Sequence, residues 1–578
     1  MEGGRKVDPA GLASGARDSL STVQRTAGFL IIVVMLSCYA ATQDVASAKR
    51  LFEQERWTEL VHLLQFVPHR SAELDYEYGV ALAHLERWED ANKALFAGRQ
   101  LAPGDKRFLI ELAGVAFKQK HNTRAIEYLR SAHQLDPDDT YTNQFLATLY
   151  FLQGNIDAAL KYWNSEGKPA IGDVFSDPTP SVRPALLDHA LAFSPSSILK
   201  LEEFRVSEAR LKNLEIFPAF RFDLIARDDT RFNAVFRGVE RNGFGSGRLE
   251  ALLGILRGLP FQEIDPEYYN LNRSAINVRS LVRWDAEKRR LWTTLSGPLG
   301  QSPEWRYRVS TDLRNENWDV HNELGNAAPV VASLNLRREV VAAEIARLVG
   351  WRWRWTLGAE ISNRDFRSVA PGTILTPQLL ANGYQLKQIA ALDYDLLRSP
   401  ERRLAVAAGA SSQVARLWSV PAQSFEKLEA SLEAHWYPQS RGEDYQTRFA
   451  LRGCKSFGQL PFDELFMLGL ERDNDLLMRA HIGVRDGRKG SAPLGSDFFV
   501  FNSETDKELY NNGLIGLKLG PFLDIGKITG PVTALGSQYL LFDAGAQIKL
   551  RVLGVQAVFI YGRNLRTGNN AFYTTVSR

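Results

Sequence analysis

From about Gly243 to Arg578 the chain reads as one strand after another, with apolar and polar residues changing places at every step. Trp351-Arg352-Trp353-Arg354-Trp355 shows this most plainly. Leu428, Ala430, Leu432, Ala434 and Trp436 alternate with Glu429, Ser431, Glu433 and His435. Phe542, Ala544, Ala546, Ile548, Leu550 and Val552 alternate with Asp543, Gly545, Gln547, Lys549 and Arg551. Side chains of a strand point to opposite faces with period two, so one face here is apolar and the other charged. A soluble sandwich rarely carries so much Arg, Glu and Lys on its second face over so long a stretch. A transmembrane barrel does so by necessity, because its outside meets lipid, its inside meets water, and the bilayer tolerates no unpaired backbone edge.

Hydropathy does not contradict this reading. The mean hydropathy is −0.23, and no apolar run reaches the roughly 18 residues that a spanning helix needs. Barrel strands are only half apolar and escape such a measure. At 578 residues the chain has room for two to four domains, and a net charge of +3 gives no electrostatic case for nucleic acid. The run Ala27 to Ala41 has the length of a secretory h-region, with Cys38-Tyr39-Ala40 as a small-x-small cleavage site, so residues 1–41 are expected to be a signal segment. An inner-membrane anchor is the rival reading of that run. Of the two cysteines, cleavage after Ala40 would leave Cys454 alone, which excludes an intramolecular disulfide and a thiolate zinc cluster.

Residues 44–165 have a helical, repetitive texture. Pro103 and Pro137 are separated by one repeat of 34 residues, and counting back from each finds small residues in register: Gly79 and Ala113, Ala91 and Ala125, Gly98 and Ala132. Ala147 and Ala159 continue the series, and Glu55-Arg56-Trp57 recurs as Glu86-Arg87-Trp88. Small residues at such spacings let paired helices approach closely, and the period resembles tetratricopeptide repeats, whose stacked units offer a concave face to a peptide or partner helix. A structural spacer is the alternative. The histidines His62, His69, His84, His121 and His133 lack metal-ligand spacing.

Residues 166–184 are rich in Pro, Gly, Ser and Asp and read as a linker. Two helical patterns and two alternating runs, Phe220 to Leu224 and Phe232 to Val239, occupy 185–241 and resemble a polypeptide-transport-associated (POTRA) domain. Residues 242–578 then allow about 16 strands at about 9–11 residues per crossing. Loops are expected at Ile264–Asn272, Asn315–Pro329, Arg364–Tyr384 and Arg472–Ser496, and the glycines of Gly243-Phe244-Gly245-Ser246-Gly247 are assigned to the first barrel strand.

The order Leu460-Pro461-Phe462-Asp463-Glu464-Leu465-Phe466, a long loop holding Met478-Arg479-Ala480-His481, and Phe522-Leu523-Asp524-Ile525-Gly526 resembles the surface-antigen barrel superfamily. That superfamily includes outer-membrane-protein assembly factors and two-partner secretion transporters. The resemblance implies a multidomain chain: an α-solenoid, a small α+β POTRA-like domain and an antiparallel transmembrane barrel. It also implies a loop folded into the lumen, where Arg479 pairs with Asp524 within Phe522-x-Asp524-x-Gly526. Ala480 and His481 stand where the pattern has glycine and an aromatic, Arg485 and Arg488 are rival loop arginines, and Ser577-Arg578 replaces the usual terminal aromatic.

The functional expectation is an outer-membrane barrel that inserts or translocates polypeptide clients, unfolded or β-rich, with a periplasmic partner on the repeats. Its other neighbours would be outer-membrane lipid, and it would bind no nucleic acid. Export of an exopolysaccharide, or a barrel-anchored periplasmic scaffold, are the alternatives. No H-E-x-x-H, G-x-S-x-G or phosphate-binding Gly-Lys-Ser/Thr motif occurs, so no catalytic, cofactor or metal residue is assigned.

Overall fold

The computed structural model describes residues 45–322, 328–439, 442 and 444–577. The signal-segment reading of 1–41, and with it Cys38, lies outside them. The chain divides into two compact units, 1–152 and 153–578.

The first unit is a run of antiparallel helices: α1 (45–53), α2 (Trp57–Leu64), α3 (Ala72–His84), α4 (Trp88–Leu101), α5 (Lys106–Lys118), α6 (Asn122–Leu135) and α7 (Thr140–Leu152). Each packs on the next along the series from α2 to α7. The repeated small residues do what their spacing predicts. A Cβ on Gly79 would lie 2.5 Å from Leu95 Cγ, and one on Gly98 would lie 2.4 Å from Phe108 Cε1, so only glycine admits these neighbours. Ala91, Ala113, Ala125 and Ala132 are fully buried between helices. The chain starts α3 and α5 with Ser71 and Asp105, whose side chains accept from Leu74 N and Arg107 N.

The second unit opens with α8 (Ile156–Trp163) and a small α+β layer: β1 (Ile171–Ser176), α9 (Pro184–Ala190), α10 (Leu201–Asn213), β2 (Ala219–Ala226) and β3 (Phe232–Val239). The sheet order is β1-β3-β2, with β1 parallel and β2 antiparallel to β3. Phe193, Phe204, Phe222 and Phe236 pack edge-on or tilted beneath it. The stretch read as a linker, 166–184, therefore contributes a strand. Its six residues lack a full alternating run, and only the parallel pairing with β3 creates the strand.

Beyond this layer α11 (Arg248–Leu256) leads into the barrel. The wall strands are β4 (Glu263–Ile264), β5 (Glu267–Leu271), β6 (Ile276–Trp284), β7 (Lys288–Leu299), β8 (Ser302–His321), β9 (Val330–Val349), β10 (Trp353–Arg367), β11 (Gly383–Ser399), β12 (Leu404–Trp418), β13 (Gln423–Trp436) and β14 (Tyr445–Gly458). Four two-residue strands, β15 (Phe466–Met467), β16 (Val484–Arg485), β17 (Arg488–Lys489) and β18 (Leu494–Gly495), belong to a loop folded inward. The wall resumes with β19 (Asp497–Asn511), β20 (Ile515–Thr529), β21 (Leu541–Val552), β22 (Val555–Asn564) and β23 (Asn570–Ser577). Antiparallel ladders join neighbours from β6 through β14, then β14 directly to β19 and on to β23; the order runs round as a barrel whose first and last wall strands are β4 and β23.

The expected glycine-rich first strand is not formed. Gly243 and Gly245 make isolated bridges to Tyr269 and Asn242, and the chain then turns into α11, because Leu249, Leu252, Leu253 and Leu256 repeat at helical spacing. The loop expected at Ile264–Asn272 is instead β4 and β5, and β8 extends through the first seven residues of the one expected from Asn315, to His321. Asn and Pro there break composition, not the ladder.

Alternation sorts the wall as the sequence requires. Leu357, Ile361, Leu428, Leu432 and Ile548 are exposed on the outside, while Asp543, Gln547 and Lys427 are buried inside. Short turns at 300–301, 350–352 and 553–554 mark one end, and the small domain docks there. Asn213 Nδ2 donates to Pro303 O at 2.7 Å, Trp351 Nε1 to Glu202 at 2.7 Å, and Asn155 Nδ2 to Pro400 O at 2.8 Å.

In the solenoid, Glu77 is buried and its Oε2 meets no hydrogen-bond partner among the described residues. Burial, then the neighbouring Glu73 carboxylate, push its pKa up to about 7 from 4.5. The folded state thus holds a proton that the unfolded chain releases between these values, and stability falls as pH rises through that window. Amide protection in α3 of the full chain, corrected for intrinsic exchange, is expected to drop between pH 5 and pH 8; Glu77→Gln should flatten that difference, and an unchanged slope would disprove the assignment.

Candidate functional site: a loop pinned in the barrel lumen

Residues 459–496 leave the wall after β14 and return at β19, while those two strands pair beneath them from Cys454↔Phe498 to Tyr445↔Lys507. The wall is thus complete without the loop, which is free to fold into the lumen. Charged side chains on three arcs of the wall hold it there.

The tip is Met478-Arg479-Ala480-His481. Arg479 is 1% exposed and Asp524 is 0% exposed. Arg479 Nη2 donates to Asp524 Oδ1 at 2.7 Å and Nε to Oδ2 at 2.9 Å, a two-pronged pairing matched to the planar guanidinium. The Arg479 backbone N–H adds a third bond to Oδ2 at 3.0 Å. Nη1 donates to Glu504 at 2.9 Å and to Gln547 Oε1 at 3.1 Å, and the guanidinium lies 3.9 Å from the centre of the Phe522 ring. Asn502 Nδ2 lies 2.8 Å from both Asp524 Oδ1 and Leu477 O, so it ties β19 to the loop.

The spacing Phe522-x-Asp524-x-Gly526 follows from the strand period, which turns all three residues to the lumen. Phe522 stacks on the arginine, Asp524 binds it, and Gly526 leaves room for Met478, whose Sδ would lie 2.9 Å from an added Cβ. Gly562 does the same for the backbone: a Cβ there would stand 2.1 Å from Arg479 O.

Ala480 and His481, which stand where the expected pattern has glycine and an aromatic, are both held by Asp543. Ala480 N donates to Oδ2 at 2.8 Å and His481 Nδ1 lies 2.9 Å from the same oxygen. Asn564 Nδ2 approaches His481 Nε2 at 3.3 Å and Asp543 Oδ1 at 3.3 Å. A carboxylate only accepts and an amide NH2 only donates, so an Nδ1–H tautomer satisfies both contacts. His481 is a structural member of the tip.

Two further clusters secure the body of the loop. Glu464 accepts from Arg338 at 2.9 Å, Gln385 at 3.1 Å and Lys427 at 2.8 Å, and pairs with Lys387 at 2.9 Å. Across the lumen Asp473 accepts from Arg283 at 2.8 Å, Arg290 at 2.7 Å and Lys489 at 3.0 Å, while Lys489 also reaches Glu316 at 2.8 Å. Arg485 pairs within the β16–β17 hairpin, and the half-exposed Arg488 binds Glu287 at 2.9 Å and Asp319 at 3.2 Å. Arg479 is therefore the arginine at the tip, beside the expected Asp524, Phe522 and Gly526. The residues missed by sequence reasoning are Glu504, Asp543, Gln547, Asn564 and the acceptor Asp473. Asp543 and Gln547 stand on the polar phase of an alternating strand, which signals lumen but not a partner.

Nearer the short-turn end, a cavity of about 410 Å³ lies between α10 and the wall, lined by Lys212, Arg352, Arg354, Asp393, Asp395 and Glu433 among others. Both signs of charge meet in it, as in the loop clusters. Among the described residues no group of His, Cys, Asp and Glu could hold a metal ion.

A tetratricopeptide-repeat family model matches residues 116–164. Among solved structures, the chain is similar to BamA from Haemophilus ducreyi lacking POTRA domains 1–3, at 9% identity and a TM-score of 0.41, over 71% of this chain and 84% of that one. It is similar to CdiB from Escherichia coli at 11% identity and a TM-score of 0.43, over 71% and 75%. It is similar to MamA at 22% identity and a TM-score of 0.20, over 20% of this chain and 71% of that one. No curated protein sequence matches the chain.

Losing one partner of a buried ion pair costs about 3–5 kcal/mol, because the other charge stays behind unpaired. Arg479→Ala and Asp524→Ala are each expected to loosen the tip and give larger, noisier single-channel currents than the parent protein in planar bilayers. Currents identical to the parent in both variants would show that this pair does not hold the loop.

Proposed function

We propose that the protein is an outer-membrane barrel that inserts or translocates polypeptide clients, with its N-terminal domains in the periplasm. The observation that carries the reading is the lumenal loop, pinned at its tip by Arg479 and Asp524. A segment of this length, held across the lumen by three buried charge clusters, occupies the space that a simple diffusion pore keeps open.

The small domain adds support. β2 lies at one edge of the β1-β3-β2 sheet, on the unit docked at the barrel mouth. An edge strand offers unpaired N–H and C=O groups to which an extended client can add, and main-chain bonding of that kind accepts many sequences. The solenoid would recruit a further periplasmic partner. In this reading the domain of residues 171–239 is POTRA-like, no nucleotide or metal is used, and His481 performs no chemistry.

Export of a charged polysaccharide is disfavoured by the lumen. A glycan of one charge sign requires a lining of the other, whereas Glu433, Arg448, Lys549, Glu504 and Asp506 here pair among themselves.

Depleting the protein in its native host is expected to remove one or more proteins from the outer membrane or the medium, with the Arg479→Ala chain failing to restore them. An unchanged outer-membrane and secreted proteome on depletion would overturn the proposal.

A further inference from the structure

The closing junction of the barrel is unlike every other join in the wall. The strands from β6 to β23 alternate in direction, and the counts on the two sides of the junction leave β23 and the β4–β5 segment running the same way, toward the short-turn end. On the β4 side the wall offers a two-residue strand, against eight to twenty residues in the wall strands from β6 onward. A wall that kept its antiparallel alternation would carry one more element there, rising in the opposite direction. α11 rises in that place: it contacts both β4 and β22, an added Cβ on Gly554 at the turn end would lie 3.5 Å from Glu250 Cγ, and Ile255 O accepts from Asp265 N at 3.0 Å higher up.

The two faces of α11 follow the same inside-out rule as the strands. Gly254 is buried against the wall, and Arg257, just past the helix, turns inward to Glu267 at 3.2 Å and Asp265 at 3.3 Å. The opposite face is Leu249, Leu252, Leu253 and Leu256, at spacing i, i+3, i+4, i+7, and all four are exposed. Water would disfavour such a contiguous leucine stripe. It is continuous with the outer apolar surface of its neighbours, Phe244 edge-on against Tyr268 on one side and Phe559 and Tyr561 on the other.

We propose that α11 is a wall element of the barrel, a helix standing where an antiparallel design places the sixteenth strand, with its leucine face against the acyl chains of the bilayer. A helix satisfies its own backbone, so it can stand in hydrocarbon beside a strand without a ladder to it. The inference rests on the barrel being in a membrane, which the test checks separately.

Full-length protein carrying Cys38→Ser and Cys454→Ser would receive single cysteines at Leu252 or Leu256, and at Ile361 or Leu428 on the outer face of β10 and β13. Each is labelled with bimane and reconstituted in vesicles with and without bromine-labelled acyl chains, after heat-modifiable gel migration shows the barrel folded. Quenching at Leu252 and Leu256 within twofold of that at Ile361 and Leu428 is the expected result. Quenching at the strand sites with none at either helix site would overturn the inference while leaving the membrane barrel intact. No quenching at any of the four would remove both. Two helix positions keep the test decisive if one variant fails to fold.

Discussion

Hydrocarbon offers no partner for a backbone N–H or C=O, and each group left unpaired there costs several kcal/mol. In the proposed membrane setting that constraint organises the wall after residue 243. It demands a wall in which each strand satisfies its neighbour, and a continuous wall then separates two environments that the period-two side chains must match. Leu357 and Ile361 point out and Arg364 and Lys427 point in for this reason. It also explains why β14 pairs with β19 directly across a long excursion of chain, because the wall cannot spare the ladder while residues 459–496 are elsewhere.

Inside the wall the constraint changes sign. The lumen is lined by charge, and burying charge is costly unless each group is paired and hydrogen-bonded. The loop supplies the pairing: Arg479 for Asp524 and Glu504, Glu464 for Lys387 and Lys427, Asp473 for Arg283 and Arg290. These contacts make a poor case for extra stability, since apolar packing of equal volume serves as well. They do make a specific register, because moving the tip by one residue would leave an acid and a base unpaired at once. Gly562 and Gly526 add the steric half of that register by admitting the Arg479 backbone and Met478.

The soluble domains obey a different economy. In the solenoid, close approach of helices is everything, and Gly79 against Leu95 or Gly98 against Phe108 shows why small residues recur with the repeat. The barrel mouth is met by polar contacts from α10, with Asn213, Glu202 and Glu208 reaching Pro303, Trp351 and Arg398. Such contacts position a domain without sealing it.

What the sequence by itself determined is periodic. Alternation at Trp351 to Trp355 or Phe542 to Val552 assigns lipid and lumen faces, and the repeat of Gly79, Ala91 and Gly98 assigns the solenoid, because both signals are local and survive without knowledge of any partner. Arg479 and Asp524 were legible through their resemblance to a known pattern. What only the tertiary structure decided lies where distant segments meet. Asp543, Gln547 and Asn564 look like any lumenal residues until the tip arrives between them, and β1 is a strand only beside β3. The same holds for α11: its leucines signal a helix, but its place in the wall follows from the direction of β23, more than 300 residues away along the chain.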